Sequence, residues 1–273
     1  MTNSEFSDIF STLLNSYNTQ AEFGDQASKR EIVLDEYEKS VLLTQAQDIV
    51  VKSYFDGTLN PQGQGFDDST RRQVDFSSLI TVATLSPETI TNIFDDRGIG
   101  FKLPTFNETT DTCDVLFILN EKVICETKTA TGFDNKRVLV VVPISYKEYD
   151  REMSKPFAQP LKKQAWRLFQ NDGSGYDINT ELIVKQSIFD KYKASPVNVG
   201  DIQITYKLRY VRRPAPIILE DLPDGLTIDG VSEASECELN PIIHIDILNK
   251  AVELAIATRG GSAAAREQRQ PER

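Results

Sequence analysis

Between Leu34 and Phe55 the chain reads LDEYEKSVLLTQAQDIVVKSYF, with no glycine or proline to break a helix. Leu34, Tyr37, Val41, Leu42, Ala46, Ile49 and Val50 recur at helical spacing. Asp35–Lys39 and Asp48–Lys52 set an acid four residues before a base, the order that supports a helix, and Gly57 closes the far end. Two starts are open, Ser28 with Glu31 or Asp35 with Glu38, each a capping residue with a carboxylate three positions on. Leu43 and Val51 fall off the main stripe, so the helix is apolar on two sides and must pack on two, inside a bundle or between subunits. Upstream, Phe6, Ile9, Phe10, Leu13, Leu14 and Tyr17 predict a helix over residues 5–17 capped by Asn3 or Ser4, with a linker over 18–28. Residues 56–68 have loop composition, and Val74, Leu79 and Ile80 mark a shorter helix over 69–80.

The pattern then changes to strands. Val115–Leu119 and Lys122–Cys125 flank Asn120-Glu121 like the arms of a hairpin, and Val138–Val142 is a β-branched run that predicts a buried strand stopped by Pro143. Ser145 with Glu148 predicts a capped short helix over 146–154. Residues 165–169 and 182–184 are shorter strand candidates. Over 202–210, Ile202, Ile204, Tyr206, Leu208 and Tyr210 alternate with Gln203, Thr205, Lys207 and Arg209, which predicts a half-buried strand with a basic wet face. Helical spacing returns at the end: Asn240 as cap, Pro241 at the first helical position, the stripe Ile245, Leu248, Val252 and Ile256, and Gly260-Gly261 as terminator. The remainder to Arg273 has the composition of a disordered tail. The pattern predicts an α+β fold: an N-terminal helical region (1–80), an antiparallel β-rich middle (81–239), and a C-terminal helix with a basic tail (240–273) whose helix joins the N-terminal ones in one layer.

Three stretches also carry a resemblance: LDEYEKSVLLTQAQDIVV, the strand-like YKLRYVRRPAPIIL at 206–219, and NPIIHIDILNKAVELAI at 240–256. In this order, framing most of the chain, they resemble the head-to-tail connector, or ring, proteins of tailed bacteriophages related to the crAss-like group. The resemblance implies a non-enzymatic virion subunit, made in the bacterial host cytoplasm and set in the neck as a homo-oligomeric ring of twelve copies. Its implied partners are further copies of itself, the portal protein and the tail rings below, with DNA passing through the ring without sequence-specific binding.

Charge bears on that expectation. The net charge of −11 argues against a free-standing nucleic-acid binder. Residues 1–60 hold ten acids and four bases, and residues 220–240 seven acids and no base. Residues 136–213 hold fifteen bases and eight acids. The sequence assigns Arg209, Arg212 and Arg213 to a subunit interface facing an acidic neighbour, with 220–240 as the first counterpart. It assigns Arg259, Arg266, Arg269 and Arg273 to docking on the portal or on an adjacent copy.

Candidate chemistry is sparse. His244 is the only histidine and lies among isoleucines, which favours a structural place over catalysis. Cys113, Cys125 and Cys237 are odd in number and widely spaced, as free thiols rather than a disulfide framework or zinc site. Asp67-Asp68 and Asp95-Asp96 have no partners at ligand spacing, and Gly98-Ile99-Gly100 lacks the third glycine of a dinucleotide loop. Tyr206 and Tyr210 share the apolar face of their strand, which argues against base stacking. No catalytic residue, metal or cofactor is expected, and no apolar run is long enough for a membrane span. A small soluble binding or hydrolytic domain is the alternative.

Overall fold

A computed structural model describes residues 1–21, 33–55, 70–87, 98–107, 112–129, 132–155, 160–171, 178–193, 202–223 and 225–267. In chain order the elements are α1 (Asn3–Ala21), α2 (Glu36–Phe55), α3 (Thr70–Asp75), a 3-10 turn (Ser77–Leu79), β1 (Ile80–Leu85), β2 (Gly98–Lys102), β3 (Thr105–Asn107), β4 (Thr112–Cys113), β5 (Val115–Thr129) and β6 (Gly132–Pro143). There follow α4 (Tyr146–Met153), β7 (Gln164–Asn171), β8 (Ile178–Ile183), α5 (Gln186–Lys193), β9 (Ile202–Arg212) and α6 (His244–Glu267). The fold is α+β, in two compact units: residues 1–79 with 214–273, and residues 80–213.

The helical unit is built on α2. Asp35 and Glu38 form the cap, Oδ1 of Asp35 accepting from the Glu38 amide at 2.7 Å and the Glu38 carboxylate accepting from the Asp35 amide at 3.3 Å. The alternative start at Ser28 lies outside the described residues, as do the 56–68 loop, Asp67-Asp68 and Asp95-Asp96. Leu43 and Val51, off the main stripe, are buried together with Ala46 and Val50 from it. The same helix buries Ser40, Thr44 and Gln47, one turn apart, and uses them as a polar ladder. Ser40 Oγ accepts from the Leu219 amide at 3.0 Å and Thr44 Oγ1 from the Ile217 amide at 3.1 Å, while Gln47 Nε2 donates to the Ala215 carbonyl at 2.7 Å. An extended segment that makes no sheet is thereby satisfied while buried.

α1 starts earlier than predicted: Thr2 and Glu5 form the cap, and Asn3 instead donates from Nδ2 to the Ile218 carbonyl at 3.0 Å. It also runs to Ala21, into the expected linker, and buries Phe6, Phe10 and Leu14. The helix expected over 69–80 is shorter, because Ile80 begins a strand after the 3-10 turn. At the other end α6 begins at His244, three residues after Pro241, and Asn240 holds the turn before it, its Oδ1 accepting from the Ile242 amide at 3.1 Å; of the expected stripe Leu248 and Val252 are buried, while Ile245 and Ile256 are exposed. The helix then passes through Gly260-Gly261 to Glu267, against the expected stop. Each glycine costs a helix about 1 kcal/mol relative to alanine, which Ala263, Ala264 and Ala265 beyond it offset. Helix therefore replaces the expected structureless tail over 260–267.

In the second unit seven strands form one sheet in the order β1-β9-β5-β6-β7-β8-β2, beside a two-stranded β3-β4 ribbon. The antiparallel expectation holds for every pair of the large sheet but β6-β7, which is parallel and joined through α4. Ser145 and Glu148 cap α4 as a full capping box. Phe101 on the edge strand β2 contacts Tyr206 on β9, centroids 5.4 Å apart, so the sheet curls until strands five places apart in its order share one core. Leu139, Leu182, Ile204, Leu208, Ile188 and Phe189 complete that core. α4 covers the other face, where Tyr149 meets Leu168 and Ile183.

Two strand readings are corrected. Asn120-Glu121 is no hairpin turn: β5 runs unbroken through it, with a register shift against β9 between Ile118 and Asn120. A bulge absorbs the polar pair and turns Glu121 inward. The run Val138–Val142 is buried on one face only, since Leu139 and Val141 are covered while Val138 and Val140 are exposed.

Candidate interaction surfaces

The outer face of the sheet is set by strand register. Asn120, Arg209 and Val82 lie in one cross-strand row, and Val140, Lys122, Lys207 and Thr84 in the next. Lys122 and Lys207 are directly opposed, a like-charge pair that costs stability where nothing neutralises it. Lys122, Lys207 and Arg209 form no salt bridge among the described residues, and Val82 and Val140 beside them are 59% and 60% exposed. The result is a basic, aliphatic face open to solvent. Of the sequence-assigned interface residues, Arg209 lies on it. Arg212 and Arg213 are half-buried at the end of β9, where the Arg213 amide donates to the Asp114 carbonyl at 2.9 Å. Lys122, from a different stretch of the sequence, completes the patch; only the pairing of β5 with β9 brings it there.

The acidic segment has its own shape. Ile218 bridges Ser235, Leu222 donates to the Ser232 carbonyl at 2.8 Å, and Ile228 and Val231 exchange two hydrogen bonds at 2.9 and 3.0 Å. At the tip Asp229 and Gly230 have φ of 50° and 80°, the left-handed pair a tight primed turn needs. The Asp-Gly dipeptide is the signal that could have revealed this hairpin. It holds Glu220, Asp221, Asp229 and Glu233 at exposed positions, and Glu236 and Glu238 follow it, also exposed.

A third surface lies between α2 and α6. The helices run antiparallel, since Tyr54 near the end of α2 donates to Asp246 Oδ2 in the first turn of α6 at 3.1 Å, while the start of α2 meets Ala255 and Thr258. There a groove of about 490 Å³ opens, lined by Leu34, Tyr37, Val41 and Leu42 with Ala255 and Thr258. This is the first part of the main apolar stripe read from the sequence, left half-covered, whereas Ala46 and Val50 further along it are buried. Of the docking arginines, Arg259 and Arg266 lie on the last turns of α6, whereas Arg269 and Arg273 fall outside the described residues.

The titratable groups are structural. His244 Nε2 bonds the Leu239 carbonyl at 2.9 Å, which leaves Nδ1 facing the Met1 amine at 3.3 Å. Burial lowers its pKa, and the amine adds to the shift. Burial raises the Cys125 and Cys237 thiols to about 11, so neither is an activated nucleophile. Inside the curled sheet Glu121 accepts from the Tyr206 hydroxyl at 2.6 Å and meets Arg167 Nε at 3.4 Å, an ionic contact without hydrogen-bond geometry. Desolvation, and then the Glu121 charge, raise the Tyr206 pKa. Gly98 lies within β2 against the Glu181 carboxyl, where a Cβ would fall 2.0 Å from Oε1, so the Gly-Ile-Gly run packs a strand and cradles no phosphate. Among the described residues no cluster of His, Cys, Asp and Glu could hold a metal, and no helix is long and apolar enough to cross a membrane.

Comparison with known proteins agrees along nearly the whole length. A family model described as phage tail ring protein 3/4 matches residues 1–267. Ring protein 4/5 of Bacteroides phage crAss001 is 42% identical over 266 residues, covering 96% of this chain and 94% of the relative. Ring protein 3 of the same phage is 34% identical over 263 residues, covering 95% and 96%.

Proposed function

Because the chain belongs to the phage tail ring protein 3/4 family, we propose that it is a non-enzymatic structural subunit of the virion neck, closing with copies of itself into a ring that joins the portal to the tail. We propose twelve copies, following the symmetry of the portal above, with other ring proteins below and DNA passing through the central channel. The acidic balance of the chain suits such a passage, because carboxylates repel phosphate and discourage sticking.

The observation that carries this reading is the unneutralised opposition of Lys122 and Lys207 beside Arg209 on an open sheet face. A free-standing domain gains nothing from paired cations there. In a head-to-tail ring each copy presents two different surfaces, one to each neighbour. The acidic hairpin of residues 218–235 complements the basic face in charge, and Arg212 and Arg213 extend the positive field at the end of β9. Single exposed pairs contribute little, so the contact acts collectively and is weakened by salt.

The test reverses the face. Lys122→Glu with Lys207→Glu and Arg209→Glu should leave the monomer folded but abolish ring assembly at moderate ionic strength, and wild-type assembly should weaken as salt rises. Assembly that proceeds unchanged in the triple variant and is indifferent to salt would exclude the charged contact.

A further inference from the structure

Resting on the ring reading, we infer that the groove between α2 and α6 receives the C-terminal arm, residues 259–273, of the adjacent copy. Among the described residues of its unit, α2 is covered along its packed side but not over the apolar positions of its first turns. Leu43, Ala46, Val50 and Val51 are buried, whereas Leu34, Tyr37, Val41 and Leu42 remain half-exposed along about 490 Å³ of open volume. Aliphatic and aromatic side chains lining a concave groove are what a partner segment covers in an assembly.

Three observations select the occupant. The first is reach: α6 continues nine residues past Thr258, the last residue lining the groove, to Glu267. Nine helical residues extend about 13 Å, directed along the axis of α6 and away from the wall that α6 itself forms. As far as Glu267 the arm therefore leaves its own groove behind, and it can reach a neighbour's. Charge complementarity is the second. The arm has four arginines against two glutamates, and the end of the groove presents Glu38 and, beside it, the exposed carboxylate of Asp35. Arginine can fork onto such carboxylates while its stem lies on apolar surface. The third is composition: Gly260, Gly261, Ser262 and Ala263–Ala265 give a slender segment that approaches a half-covered helix closely. One arm and one groove per copy make a heterologous contact, and a closed ring satisfies every pair.

The test mixes two variants of the full chain. One carries Val41→Arg in the groove, with Tyr37→Glu as a second groove variant should the first disturb folding. The other lacks residues 260–273. Thermal unfolding checks that each keeps its fold, and mass photometry reads the oligomers. Wild type should form closed rings, and each variant alone should need at least about tenfold more protein to assemble, a loss of about 1.4 kcal/mol per contact. An equimolar mixture of the two variants should stop at dimers, because it contains one intact arm and one intact groove. Wild-type rings with undiminished assembly of either variant, or a mixture without dimers, would overturn the arm contact and leave the ring reading standing. Wild type that stays monomeric at every concentration would contradict the ring reading and the arm contact with it.

Discussion

His244 holds the Leu239 carbonyl through Nε2 and has Nδ1 beside the Met1 amine. Its pKa is lowered from the ordinary value of 6.5, first by burial. Below 6.5 the unfolded chain therefore binds a proton that the folded chain refuses, and stability is lost as pH falls from that value toward the folded pKa. The contribution is fully present above pH 6.5 and does not change further as pH rises. The thermal midpoint should fall more between pH 7 and pH 5.5 in the wild type than in His244→Gln, measured by circular dichroism at matched ionic strength; equal slopes would mean that this histidine is indifferent to pH. Among single residues the local signals were the legible ones. Ser145 with Glu148 and Asp35 with Glu38 need only residues three apart, and both caps form. Glu121 was not legible, because whether a polar pair makes a turn or a bulge depends on the strand it faces, here β9.

At the level of elements, α2 and the alternating strand β9 stand where their periodicity placed them, with Ile204, Tyr206, Leu208 and Tyr210 buried. What periodicity could not rank was which apolar side of α2 its own unit covers, since the segment it packs on, residues 215–219, has no pattern and is recognised through Ser40, Thr44 and Gln47. Likewise β6 reads as buried on both faces from Val138–Val142 alone, yet its outer valines border the basic patch. The passage of α6 through Gly260-Gly261 gives a sharp prediction. A glycine that ends a helix in the left-handed region resists alanine, whereas a glycine inside one is improved by it, by about 1 kcal/mol each. Replacing both with alanine should therefore raise the amide-exchange protection of residues 262–267 by about fivefold per site. Reduced protection would show that the helix stops at the glycines.

For the whole molecule, the charge segregation along the sequence becomes shape: a basic sheet face in one unit, an acidic hairpin and an apolar groove in the other. The segregation was legible from counts of acids and bases. The surfaces were not, because Lys122 joins Lys207 only through strand pairing, and the groove exists only where two helices distant in sequence diverge. An open basic face and a half-covered groove are in keeping with the chain's membership of a ring-protein family. The most direct test of that account is electron microscopy of intact virions with this subunit labelled at a surface loop. The account predicts label confined to the neck between head and tail, in a closed ring of twelve copies. Label distributed over the capsid, or virions that contain none of the subunit, would contradict it.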